Sequence, residues 1–144
     1  MKLAWLSEGG YSGKVPREQT ANAGVLWAWM SNLEVDHYPI LNFEHAPTDG
    51  YDCLILQVPK TPEVRTALFQ RDIVKQARRI AKKILFFQEG PVWVYQDMPL
   101  EQQFWHYNTL VDVDLIFCEN TTDIPYYKGF VPGKPVTPLP DLIV

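Results

Sequence analysis

A chain of 144 residues, 47% hydrophobic and 21% charged, has the size and balance of one folded domain with a core of its own, spanning residues 1–144. Its formal net charge of −4 argues against a generic nucleic-acid binder, which is usually basic. No apolar run approaches the roughly 18 residues of a membrane-spanning helix, and Met1–Glu8 turns acidic too soon for a signal peptide, so a cytoplasmic location is expected.

The first predicted strand is Lys2–Glu8, followed by a glycine-rich turn and a helix from about Pro16 to Ser31 with Ala21, Val25, Ala28 and Trp29 on one face. Leu33–Ile40 reads as a second strand, and Asn42–Tyr51, with Pro47 and Gly50, as a loop. Asp52–Val58 is a third strand. Thr61-Pro62-Glu63 then opens a helix, with Thr61 as cap, Pro62 in the first turn and Glu63 complementing the dipole. That helix is predicted to reach Lys82, turning Val64, Leu68, Val74, Ala77 and Ile80 toward the core. Lys83–Gln88 is a fourth strand, Gly90–Asp97 an irregular aromatic loop, Pro99–Val111 a helix and Asp114–Glu119 a fifth strand. Thr122–Tyr127 reads as a short helix closed by Gly129 as a left-handed cap, and Val136–Leu139 as a last short strand. Short apolar strands alternating with helices predict an α/β fold: a single doubly wound, Rossmann-like parallel sheet with helices on both faces.

Several strands end in a polar or glycine-rich cluster, and in such sheets ligands bind beyond the carboxyl ends of the strands. After the first strand comes Glu8-Gly9-Gly10-Tyr11-Ser12-Gly13, where bare backbone amides can approach an anion. It matches neither GxGxxG nor the Walker pattern, and a tight turn explains it equally well. After the fourth strand comes Gln88-Glu89-Gly90-Pro91, then Trp93, Tyr95 and Asp97. Glu89 can accept from a hydroxyl or act as a base, and the aromatics can stack on a sugar ring; Glu89 can equally cap a helix or pair with a cation. Glu119-Asn120, leading into Asp123, suits hydroxyl recognition, or Asn120 caps the next helix.

Arg71, Lys75, Arg78 and Lys82 recur at helical spacing as a basic stripe, either a solvated face or a contact for an anionic surface, which includes a peripheral membrane contact. Cys53 and Cys118 have no CxxC partner and read as buried thiols in a reducing compartment. His37, His45 and His106 lack metal-ligand spacing, so no metal is expected; His106 reads as a core or surface histidine.

With these features in place, Tyr51–Gly129 resembles the N-terminal half of GT-B glycosyltransferases. The likeness is carried by the glycine-rich turn with the Ala21–Trp29 helix behind it, by Gln88-Glu89-Gly90, and by Asp112-Val113-Asp114-Leu115-Ile116-Phe117-Cys118-Glu119-Asn120. Gly133–Pro140 is similar to the family's crossing strand into the interdomain linker. The resemblance implies that Gly9, Gly10, Ser12 and Gly13 lie near the donor diphosphate. It implies that Glu8 and Glu89 orient acceptor hydroxyls, and that Gln88, Gly90, Trp93, Asp97, Glu119 and Asn120 line the substrate site. It implies a nucleotide-sugar donor, no covalently bound cofactor, and a donor-binding domain, on this or a second chain, that Met1–Val144 does not contain. The acceptor is left open. A non-catalytic module binding a nucleotide, a sugar or a protein is the alternative on the same fold. A phosphate-accepting receiver would need an aspartate after the third strand, where Gln57-Val58-Pro59-Lys60 stands.

Overall fold

A computed structural model describes residues 1–8, 14, 33–59, 61–88, 97–118 and 121–138. These residues form β1 (Leu3–Ser7), β2 (Val35–Pro39), β3 (Tyr51–Val58), α1 (Pro62–Leu68), α2 (Ile73–Arg78) and β4 (Ala81–Gln88). They continue with α3 (Leu100–Asp112), β5 (Leu115–Cys118), a 3-10 turn (Thr121–Asp123), α4 (Ile124–Phe130) and β6 (Val136–Pro138). The six strands make one sheet in the order β2-β1-β3-β4-β5-β6, every neighbouring pair parallel. β1 to β2 steps one way along the sheet, and β3 to β6 steps the other. Right-handed crossovers therefore assign the two sets of connections to opposite faces, and the sheet is doubly wound with its switch point between β1 and β3.

Both faces of the sheet are buried, which is why the strands read as unbroken apolar runs. One face gathers Leu3, Trp5, Val35, Ile55, Phe87 and Phe117. The other gathers Ala4, Leu6, Leu54, Leu56, Ile84, Phe86 and Ile116, and packs against Leu68, Ile73, Val74, Ala77, Trp105, Leu110 and Tyr127 of the four described helices. Each fully buried Leu, Ile or Phe here contributes about 1.5–3 kcal/mol. The helix expected over Pro16–Ser31 lies outside the described residues.

The helix predicted from Pro62 to Lys82 is in fact two helices, α1 and α2, and β4 begins at Ala81. Asp72 explains the break: it is the N-cap of α2 and its carboxylate accepts from Lys75 N, so the chain restarts there. The Arg71 guanidinium holds the break from outside, donating to the Leu41 carbonyl at 3.1 Å. The four basic residues consequently share no helix face. Arg71 precedes α2, Lys75 and Arg78 lie within it, and Lys82 lies on β4.

Gly129 does not cap its helix either. It lies inside α4, which ends at Phe130, and Gly133, at φ +85°, is the glycine in the left-handed region. Between β2 and β3 the chain crosses β1 without regular structure, burying Ile40, Phe43 and Ala46. Arg79 stands in for the missing ladder, donating to the carbonyls of Phe43, Glu44 and Ala46 at 3.0–3.2 Å.

Candidate functional site at the carboxyl edge of the sheet

The register brings the ends of β1, β3, β4 and β5 to one edge. Leu6 is level with Leu56, Val58 with Gln88, and Phe87 with Phe117. Two polar groups stand there.

The first is at the switch point. Glu8, just past β1, is exposed, and its carboxylate accepts a hydrogen bond from the Thr61 hydroxyl beyond β3. Thr61 was expected to cap α1 with its side chain. It occupies the N-cap position, but its hydroxyl goes to Glu8. Beside it, Ser7 Oγ and His37 Nε2 share a hydrogen bond of 2.6 Å, both residues buried. Burial holds the His37 imidazole down at about 4, so it is neutral near pH 7. Its Nδ1 is buried with no hydrogen-bond partner among the described residues. Below this pair Trp5 Nε1 donates to Gln57 Oε1 at 2.8 Å, tying β1 to β3 on the same face.

The second group is at the ends of β4 and β5. Gln88 and Cys118 end their strands and are buried, and Asp123 is buried in the turn that follows. Burial, then the charge of Asp123, pushes the Cys118 thiol up to about 12, so it is a protonated thiol and no nucleophile at neutral pH. His106 sits fully buried among Phe86, Tyr127 and Phe130, ring centroids 5.7–6.4 Å away. Burial, then the Arg65 charge, lowers it to about 3. It is a core residue, neutral and closed off from solvent. Arg65 reaches Met98 Sδ at 3.4 Å just before α3.

Of the residues singled out from the sequence, Glu8, Gln88 and Asp97 are described. Glu8 and Gln88 share the carboxyl edge, while Asp97 is exposed at the approach to α3. Gly9, Gly10, Ser12, Gly13, Glu89, Gly90, Trp93, Glu119 and Asn120 lie outside the described residues. His37 and Thr61 were missed as partners of this edge. Ser7 is 30 residues from His37, and Glu8 is 53 from Thr61, so no local spacing relates them. Only the strand order does. Chemically, the edge offers a carboxylate, a carboxamide and hydroxyls, a set suited to hydroxyl-bearing ligands. Among the described residues no group of three or more His, Cys, Asp and Glu is arranged to hold a metal ion, and no helix is long and apolar enough to cross a membrane.

Searches of protein-family models, curated proteins and solved structures gave no match for the chain.

Proposed function

We propose that the chain is the acceptor-side domain of a GT-B-type glycosyltransferase, moving a sugar from a nucleotide-sugar donor to an acceptor hydroxyl together with a donor-binding domain. The observation that carries the reading is the all-parallel order β2-β1-β3-β4-β5-β6 with Glu8, Thr61 and Gln88 at its carboxyl edge. In the reaction the acceptor oxygen attacks the anomeric carbon, the bond to the diphosphate breaks, and the acceptor proton passes to a base. Glu89, following Gln88 at the end of β4, and Glu8 orient that hydroxyl, and Glu89 is the residue proposed to take the proton. Gly9, Gly10, Ser12 and Gly13 contribute backbone amides to the diphosphate. Gln88, Gly90, Trp93, Asp97, Glu119 and Asn120 line the acceptor. In the same reading the protein works in the cytoplasm, and of Arg71, Lys75, Arg78 and Lys82 it is Lys75 and Lys82 that are exposed to an anionic surface.

The test joins the chain to the doubly wound domain sought in the source DNA beyond the Val144 codon or in an adjacent reading frame. Release of nucleoside diphosphate is then followed with a panel of sugar donors. Turnover that collapses in Glu89→Gln supports the reading. Full turnover in that variant refutes the role of Glu89, and absence of any turnover or donor-dependent binding refutes the reading itself.

One observation favours the alternative, a non-catalytic binding module. Of the two carboxylates assigned to the acceptor hydroxyl, the described one, Glu8, is exposed and accepts from the Thr61 hydroxyl, an arrangement for receiving hydrogen bonds that needs no proton transfer. Binding of a sugar or nucleotide at this edge without turnover, with the second domain present, would select it.

A further inference from the structure

α3 is apolar on both sides. Trp105, His106, Thr109 and Leu110 face inward. Leu100, Phe104, Tyr107 and Val111 form a second stripe, 65%, 57%, 42% and 44% exposed. Their 4-3-4 spacing is that of a helix seam that receives another helix. The acids beside the stripe say what covers it. Glu101, Asn108 and Asp112 run along one flank of α3 and are exposed. A groove of about 480 Å³ on that flank, between α3 and the α1–α2 junction, adds Asp72 and is floored by Phe69 and Trp105. The side chains of Glu101 and Asp112 make no ion pair or hydrogen bond among the described residues. The neighbouring cations are engaged with other groups: Arg71, which also lines the groove, with the Leu41 carbonyl, Arg78 with the Asp114 carboxylate at 2.6 Å and the Asp112 carbonyl, and Lys134 with the carbonyls of Val111 and Val113.

We propose that this outward face of α3 docks a partner α-helix bearing an apolar ridge with Lys or Arg along one side. The ridge lies on Leu100, Phe104, Tyr107 and Val111, and the cations meet Glu101, Asp112 and Asp72. A second copy of the chain packed antiparallel fits poorly. Two α3 helices packed antiparallel about a two-fold axis would set Glu101 of one against Asp112 of the other, acid against acid. An anionic bilayer meets the same repulsion. The inference does not rest on the glycosyltransferase reading.

Two designed helical peptides test it. Both carry the same leucine ridge at 4-3-4 spacing, one with lysines along a single flank and one with glutamates there. Each is titrated into the ¹⁵N-labelled chain while backbone amide shifts are followed. The lysine peptide is expected to saturate shifts along α3 and to bind at least about tenfold tighter than the glutamate peptide, with the difference shrinking as salt is raised. Phe104→Glu, at an exposed position, is expected to abolish binding, and Asp112→Lys to narrow or reverse the preference between the peptides. Equal affinities, shifts centred away from α3, or binding untouched by Phe104→Glu would overturn the proposal. So would self-association of the peptide-free chain that Phe104→Glu abolishes, which would assign the face to a second copy.

Discussion

Acidification from pH 7 to pH 5 is expected to remove about 4 kcal/mol of folding stability, and two buried imidazoles are responsible. His37 and His106 have an ordinary value of 6.5, which burial lowers to about 4 and about 3. Between those values the unfolded chain binds more protons than the folded one, so stability rises with pH through this window and is lost as pH falls below 6.5. At pH 5 each group is about 1.5 units below its unfolded value, and at ~1.4 kcal/mol per unit each contributes about 2 kcal/mol of destabilisation. That loss is a large part of the roughly 5–15 kcal/mol typical of a domain. Carboxylates in the unfolded chain titrate near 3.9–4.3, so they add little above pH 5. Urea unfolding at constant ionic strength across pH 7, 6 and 5 reads the effect directly. His106→Phe keeps a ring among Phe86, Tyr127 and Phe130, and it should roughly halve the slope whatever it does to absolute stability. A flat profile, or a full slope retained in His106→Phe, would refute the account.

Arg78→Met should cost about 1–2 kcal/mol in chemical denaturation. The guanidinium donates to Asp114 at 2.6 Å and to the carbonyls of Asp112 and Lys82, but the pair is about one-third exposed. Although burial pushes Asp114 up, its hydrogen bonds from Arg78 and Ile84 N–H and the Arg78 and Lys83 charges leave it lowered overall. That contribution is complete above the ordinary value of 3.8 and is lost as pH falls through the folded value, a loss Arg78→Met should shrink. The two glycines near the C-terminal end of the described chain should respond with opposite signs, because neither side chain would meet an obstacle. Gly129→Ala, inside a helix, should stabilise by about 0.5–1 kcal/mol, and Gly133→Ala, at φ +85°, should destabilise by about 1 kcal/mol. Equal effects in thermal unfolding would show that backbone conformation is not what separates them. Ser7→Ala leaves His37 with neither ring nitrogen paired and should cost about 1–3 kcal/mol; a neutral result would mean that the 2.6 Å bond contributes nothing net.

The parallel sheet was legible because burial on both faces leaves a mark no other architecture leaves as clearly: short Ile-, Leu- and Phe-rich runs such as Cys53–Leu56 and Ile84–Phe87 without polar alternation. α3 was legible from Pro99 and Glu101 at its start. The break between α1 and α2 was not, because Val64, Leu68, Val74 and Ala77 keep a helical rhythm across it. What decides the break is the capping bond of Asp72 and the distant grip of Arg71 on Leu41. Gly129 misled in a similar way: a glycine is compatible with a cap but does not require one, and the chain turns four residues later at Gly133. At the edge of the sheet, Glu8 and Gln88 could be placed from strand ends alone. Their surroundings could not, since pairing Ser7 with His37 and Glu8 with Thr61 requires knowing that β1 lies between β2 and β3.

The bond between Glu8 and Thr61 sets the two oxygens of one carboxylate apart. Oε1 holds the Thr61 hydroxyl, while Oε2, on an exposed side chain, has no donor among the described residues and stays open to one. A donor that displaced Thr61 from Oε1 would swap one O–H for another with little net gain, whereas one meeting Oε2 would displace only water. Thr61 holds the carboxylate in one orientation. Replacing Thr61 by valine would remove that tether and leave both oxygens of the exposed carboxylate to water. The threonine thus fixes how this edge presents its carboxylate.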